Sequence, residues 1–215
     1  MRCMKTMRTI TTAGLCVAIS LPLLAQESKD AKKDGGTKPT DAEMMAMMME
    51  MGKPGEQHKR MQEGVGTWSY VTKYWMSPDA PPNESTGTAV TRSVMGGRYF
   101  ISDHTGKMQM PGPDGKMMDM EFQGMAVEGY DNAKKKVVSS WIDNMGTGIM
   151  NSEGTYDPAT KTLTSFAEYE MIPGVKTKFR SVLKITDKDH KAFEFFEDRG
   201  GKEVKTMDIS YTRKG

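Results

Sequence analysis

From Gly64 to the end of the chain, side-chain character repeats with a period of two, and no helix-period segment interrupts it. Such alternation marks β-strands with one face turned inward. It is legible in the run that carries Trp68, Tyr70, Thr72, Tyr74 and Met76 on one face. The runs that follow are Glu84–Val94, Arg98–Thr105, Met118–Tyr130, Lys136–Asp143, Thr147–Tyr156, Lys161–Glu170, Lys176–Thr186, His190–Asp198 and Glu203–Arg213. Gly, Asp, Asn and Pro separate them, residues that supply left-handed or preset backbone angles. Between Glu128 and Thr164 the turns at Asp131-Asn132, Asp143–Gly148 and Asp157-Pro158 define two consecutive hairpins, hence an antiparallel meander. A parallel βαβ sheet is excluded for want of helices. About ten antiparallel strands must close into a barrel or split into a sandwich to manage their edges. Neighbour-to-neighbour connections favour the closed barrel. The fold expected is all-β, an antiparallel closed barrel of about ten strands over 64–215, preceded by one or two short helices.

The N-terminal part reads differently. Residues 1–25 have the form of a secretory signal: Arg2, Lys5 and Arg8, an apolar stretch from Ile10 to Leu24, and Ala25 before Gln26. The stretch is shorter than the roughly 20 apolar residues a spanning helix needs, so no membrane span is expected after cleavage, and the location expected is periplasmic or secreted. Cys3 and Cys16 both fall in this segment, leaving the mature chain without disulfide or thiol chemistry. Removing Arg2, Lys5 and Arg8 from the 30 basic residues leaves 27 against 28 acidic. Such a balance excludes the basic footprint of a nucleic-acid binder. Residues 26–39 read as a flexible, solvated tether. Over 40–63, Thr40 and Glu43 form a capping box ahead of a Met-rich helix, Gly52–Gly55 stops it, and a second helix covers Glu56–Glu63.

The residues that could carry chemistry are few. His58, His104 and His190 lack metal-ligand spacing, and no nucleophile elbow, phosphate loop or dinucleotide fingerprint occurs. Glu128, Asp143, Glu168 and Glu194 could meet in a barrel for acid–base work, though solvent or lysine pairing is the simpler expectation. Met108, Met110, Met117, Met118 and Met120 surround the Pro111–Gly115 turn. Thioethers are soft ligands that select Cu(I), and they are equally an adaptable apolar surface. Trp68, Tyr70, Tyr74, Trp141 and Asp143 are the candidate ligand contacts, since aromatic side chains on an inward face can line a cavity. On the strand around Arg180, local alternation turns Val175, Thr177, Phe179, Ser181 and Leu183 inward and leaves Arg180 outside.

Several motifs in order carry a family resemblance. They are Pro54-Gly55-x-x-His58, Gly66-x-Trp68, Gly129-Tyr130-Asp131, Trp141-Ile142-Asp143-x-Met145-Gly146-Thr147, Gly154-x-x-Asp157, Lys178-x-Arg180-x-Val182, and Glu203-x-Lys205-x-Met207-x-Ile209-x-Tyr211-x-Arg213. Over about residues 54–213 the chain resembles the DUF1579 family of exported bacterial proteins. The resemblance implies a calycin-like barrel, similar in shape to fatty-acid-binding proteins and to nitrobindin haem barrels, and it brings no function. Gly66-x-Trp68 is similar to the lipocalin pattern in which tryptophan plugs the closed end. Haem relatives use a histidine near the C-terminus; Glu203–Arg213 has none, and no cofactor is expected. The marked positions Arg180 and Val182 imply the parity opposite to local alternation, with an inward arginine able to fix a ligand carboxylate. The function expected is an exported, non-enzymatic barrel binding a small apolar or amphipathic molecule. The alternatives are a methionine-rich copper binder, an enzyme using barrel carboxylates, and a structural domain with a filled barrel.

Overall fold

Ten strands, each paired with its neighbours in sequence and the first with the last, leave no sheet edge. The computed structural model describes residues 38–215, so the signal segment and all but the end of the tether lie outside the described residues. Residues 39–215 form one unit. Its elements are α1 (Asp41–Met51), α2 (Glu56–Gln62), β1 (Gly66–Tyr74), β2 (Asn83–Val94), a 3-10 turn (Met95–Gly97), β3 (Tyr99–Pro111), β4 (Met117–Asp131), β5 (Lys136–Asp143), β6 (Met150–Asp157), β7 (Thr162–Ile172), β8 (Val175–Ile185), β9 (His190–Asp198) and β10 (Glu203–Arg213). All pairings are antiparallel, and closure runs through Tyr70 opposite Tyr211 and Thr72 opposite Ile209. None of the described helices is long and apolar enough to cross a membrane.

Two local features differ from the sequence expectation. Residues 106–117 were expected outside the strands, yet β3 and β4 extend to a tip at Gly112–Lys116, with Met108 opposite Met120 and Met110 opposite Met118. Long, flexible methionines give a weak strand signal, and cross-strand pairing overrides it. In the turns at Asp131 and Asp157, the left-handed residue is neither Asn nor Gly. It is Lys135 in one and Lys161 in the other, each at φ 54°. The preceding aspartates hold both turns: Asp131 Oδ1 accepts from the Ala133 and Lys134 amides at 2.8 and 3.0 Å, and Asp157 Oδ1 from Ala159 at 2.9 Å. These side-chain-to-backbone bonds offset the cost of a non-glycine left-handed residue.

Strand parity separates inside from outside. Trp68, Tyr70, Ala89, Phe100, Ala126, Val137, Phe179 and Tyr211 are buried, and cross-strand register sets them on one face of the sheet. Glycines admit the aromatic rings: a Cβ at Gly106 would lie 2.6 Å from the Tyr70 hydroxyl and 2.8 Å from the Thr86 carbonyl.

One end of the barrel is closed. There α2 lays His58 edge-on to Tyr130, with ring centroids 5.9 Å apart, and stacks Arg60 3.5 Å over the Tyr156 ring. Tyr130 and Tyr156 stand at the same end of the barrel because up-and-down topology brings the ends of β4 and β6 together. The capping box of α1 is formed as expected, Thr40 accepting from the Glu43 amide and donating its own amide to the Glu43 carboxylate. Yet α1 buries no residue. It is tied down at its C-terminal end, where Asn132 donates to the Met51 and Lys53 carbonyls and Arg98 to that of Gly52. A chain beginning at Pro54 is therefore expected to fold and melt cooperatively, losing no more than about 2 kcal/mol for those exposed bonds. An insoluble or non-cooperative truncation would show that α1 is part of the folding unit.

Candidate functional site: the barrel lumen

The lumen changes character along its length. At the closed end Trp68 is 2% exposed and its indole N–H donates to the Gly64 carbonyl at 3.0 Å. Its ring is flanked by two cations, Arg213 Cζ at 4.1 Å and Lys191 Nζ at 4.2 Å from the centroid. Cations are attracted to the ring quadrupole, and more strongly when desolvated. Arg213 is otherwise consumed by structure, donating to the backbone carbonyls of Glu63, Val65 and Lys188. Lys191 makes no ion pair among the described residues; its Nζ sits over Trp68 and, at 4.9 Å, over Tyr211.

Around Lys191 the inward faces of several strands converge. Tyr70 and Tyr211 lie 5.9 Å apart, and His104 lies 5.9 Å from Tyr70, 6.3 Å from Tyr211 and 5.2 Å from Trp141. Glu128 enters from β4, five strands from β9 by either route round the barrel. It is half-buried and shares the inward parity of Ala126. The environment shifts each group. Burial lowers the Lys191 ammonium to about 8, with Arg213 acting in the same direction and Glu128 against it. Burial lowers His104 to about 4, helped by Lys191. Burial pushes the Glu128 carboxyl up, while Lys191 pulls it down. The Tyr211 phenol is pushed up, first by burial and then by Tyr70 and Glu128.

Along the rest of the lumen, side chains that point inward keep part of their surface accessible: Trp141, Leu163, Leu183, Phe193 and Phe195 are all half-buried, Leu163 opposite Tyr156 near the closed end and Trp141 near the end of β5 that points the other way. Phe195 stacks with Phe179 at 5.0 Å and with Phe193 at 6.2 Å, forming an aromatic wall. At the rim the β3–β4 hairpin projects beyond its neighbours, since β2 pairs only as far as Lys107 and β5 only from Gly124. Register puts Met108, Met110, Met118 and Met120 on the same face as His104 and Phe122. The Tyr74 hydroxyl donates to the Gln109 carbonyl and ties this projecting flap to β1.

The structure distributes the sequence candidates unevenly. Trp68, Tyr70, Tyr74, Trp141 and Asp143 are on inward-facing parity. The Tyr70 hydroxyl is used by the Thr105 carbonyl at 3.1 Å, and Asp143 by the Trp141 indole at 2.7 Å and the Met145 amide. Arg180 is on the outer face: Phe179 is buried, and the guanidinium pairs with Glu203 at 2.6–2.7 Å and covers Phe196 at 4.0 Å. Local alternation gives the parity of this strand, and the inward arginine is corrected. Met117 is exposed beside the tip, apart from the other four methionines by parity. Glu168 and Glu194 pair with Lys176 and Lys205. His58 accepts from the Gly55 amide at 3.0 Å, and His190 pairs with Asp187. No group of three or more His, Cys, Asp or Glu able to hold a metal occurs among the described residues.

Lys191, Tyr211 and His104 were not among the ligand candidates. β9 reads HKAFEFFED, with phenylalanine on both faces, so local alternation does not tell which face Lys191 is on. The register of β10 would have found it, because Tyr211 stands opposite both Tyr70 and Lys191. A further concavity of about 780 Å³ has Tyr99, Val127 and Phe166 exposed among lysines and glutamates, and Glu128 and Phe179 border it.

No curated protein matches the sequence. Among solved structures, the crystal structure of Rv2717c from M. tuberculosis is similar in fold: TM-score 0.55, 13% identity, covering 76% of this chain and 100% of that one. The family model for DUF1579, described as a protein of unknown function, matches residues 53–213, from the turn before α2 to the last residue of β10, and this ten-stranded barrel belongs to the DUF1579 family.

Proposed function

We propose that the barrel binds one small amphipathic molecule in its lumen. The observation that carries this reading is the partial accessibility of Trp141, Leu163, Leu183, Phe193 and Phe195, which face inward and yet are not sealed by one another. A closed wall of ten strands encloses more space than eight, and eight already leave room for a ligand in lipocalins. Apolar surface left accessible on an inward face favours an apolar guest at about 25 cal/mol per Å² buried. The methionine face of the projecting hairpin supplies an adaptable rim at the mouth. Export, with cleavage near Gln26, is proposed on the sequence alone.

An organic extract of the protein purified from its native source, analysed by mass spectrometry, is expected to contain one amphipathic species in near-equimolar amount. Trp141 fluorescence should change when that species is added back to delipidated protein. An empty extract, together with fluorescence indifferent to medium-chain amphipaths, would overturn the reading in favour of a structural barrel.

A further inference from the structure

Three polar groups meet deep in the lumen without a protein hydrogen-bond partner among the described residues, the Lys191 ammonium, the Tyr211 hydroxyl and the His104 ring, and a fourth, the Glu128 carboxyl on the inward parity of β4, also has none. This is unusual. Buried polar groups are nearly always paired, and each unpaired one carries a desolvation cost. Elsewhere in the barrel the rule holds: Tyr70, Tyr74, Trp68, Trp141 and Arg213 all have partners. The lone buried side-chain nitrogen sealed from all space is on Arg60, outside this cluster. None of the four is sealed in that way, so each is reachable by a guest.

Three of them are donors, or can be: Lys191 with three N–H bonds, Tyr211 with its hydroxyl, and neutral His104 with one ring N–H. They lie on β9, β10 and β3, within one aromatic cage that includes Tyr70. The fourth, Glu128, is the one acidic group coupled to Lys191 and lies on the far wall. We propose that Lys191, Tyr211 and His104 form the seat for the carboxylate head of an amphipathic ligand whose chain runs along Phe193 and Phe195. This inference rests on the luminal reading above and adds the head-group class to it.

The charge count favours a monoanion. A single unpaired cation, Lys191, serves the seat, because Arg213 is held by three carbonyls. An ionised Glu128 already answers that cation through the lumen, so a second carboxylate would meet repulsion; a protonated Glu128 removes it and offers another donor. Every other charged or titratable group facing Lys191 keeps its state between pH 6 and 8.5. His104 is neutral with its pKa at about 4, Tyr70 and Tyr211 are neutral phenols pushed up by burial, and Arg213 is a cation throughout. Lys191, lowered to about 8, loses its charge across that interval, so an anion is favoured at the lower pH; burial pushes the Glu128 carboxyl up, which acts in the same sense.

The test uses delipidated full-length protein and two probes of matched chain, decanoate and decan-1-ol, titrated calorimetrically at pH 6 and pH 8.5. Wild type should bind decanoate more tightly than decanol and more tightly at pH 6. Lys191→Met, which keeps the volume and removes the charge, should lose about 10- to 100-fold in decanoate affinity and nothing for decanol. Glu128→Gln, which removes a carboxyl that can repel the guest, should bind decanoate at least as tightly as wild type at pH 6 and keep the pH dependence that Lys191 sets. Equal binding of both probes by wild type and Lys191→Met overturns the seat and leaves the luminal reading standing. Failure of both probes to bind overturns both. Should Lys191→Met fail to melt cooperatively, Tyr211→Phe decides alone: it is expected to lose several-fold in decanoate affinity and nothing for decanol, and unchanged decanoate affinity in it overturns the proposal.

Discussion

Replacing Trp68 with alanine is expected to lower stability by about 3–5 kcal/mol, the range for deleting a buried large aromatic side chain. The residue is 2% exposed, anchors the cluster of Tyr70, Ala89 and Tyr211, and packs with Phe193 and Ile209 beside it. It lies where β1 meets β10, the seam that closes the barrel. Its indole also lies against two cations, Arg213 and Lys191, so alanine would leave the largely buried Lys191 ammonium without that aromatic partner. Typical domains are stable by about 5–15 kcal/mol, so this one side chain holds a large share. Urea unfolding of wild type, Trp68→Ala and Trp68→Phe measures it, with phenylalanine expected to recover much of the loss. A Trp68→Ala midpoint and slope matching wild type would show that the closed end is not what holds the seam.

The architecture was readable because period-two alternation and turn chemistry agree along most of the chain. Lys136–Asp143, His190–Asp198 and Glu203–Arg213 have in the structure the ends read from sequence. Agreement fails where one side-chain type suits both surroundings. Methionine at 108, 110, 118 and 120 belongs equally to a loop or a half-exposed strand, so the projecting hairpin was missed. Phenylalanine at 193, 195 and 196 makes β9 apolar on both faces and conceals Lys191. Arg180 shows the converse: a charged residue opposite buried Phe179 obeys simple alternation, and its bond to Glu203 explains a marked position without a ligand.

The candidate site was less legible than the fold, for a physical reason. A luminal lysine and a surface lysine occupy the same kind of alternating pattern, and they differ in what lies across the barrel. The distinction between them is carried by long-range register, with Lys191 opposite Tyr211 and Tyr211 opposite Tyr70. Glu128 stands opposite Phe100 on one side and Ser139 on the other, and nothing local to its strand marks it as facing Lys191. Sequence pattern fixes which residues share a face; closure of the sheet decides which of them meet.

The acid side of the stability profile offers a test of that closure at His104. Its folded pKa of about 4 lies below the ordinary value of 6.5, through burial first and Lys191 second. A base whose pKa is depressed on folding binds fewer protons in the native than in the unfolded state over the interval between the two values. Stability contributed by neutral His104 is therefore intact above about pH 6.5, falls as pH drops through the interval, and is fully lost below about pH 4. At 1.36 kcal/mol per unit the loss has an upper bound of about 3 kcal/mol. Glu128 acts with the opposite sign, because its carboxyl is pushed up and the native state takes its proton first. The wild-type profile alone mixes the two. The difference between His104→Gln and wild type isolates the histidine: nearly constant above pH 6.5, it should shift in favour of the variant by up to about 3 kcal/mol as pH falls to 4. Urea titrations across that range give the difference, and the ring proton shifts of His104 give its pKa directly. A ring titrating near 6.5, with parallel stability profiles for the two proteins, would place His104 in solvent and dissolve the cage around Lys191.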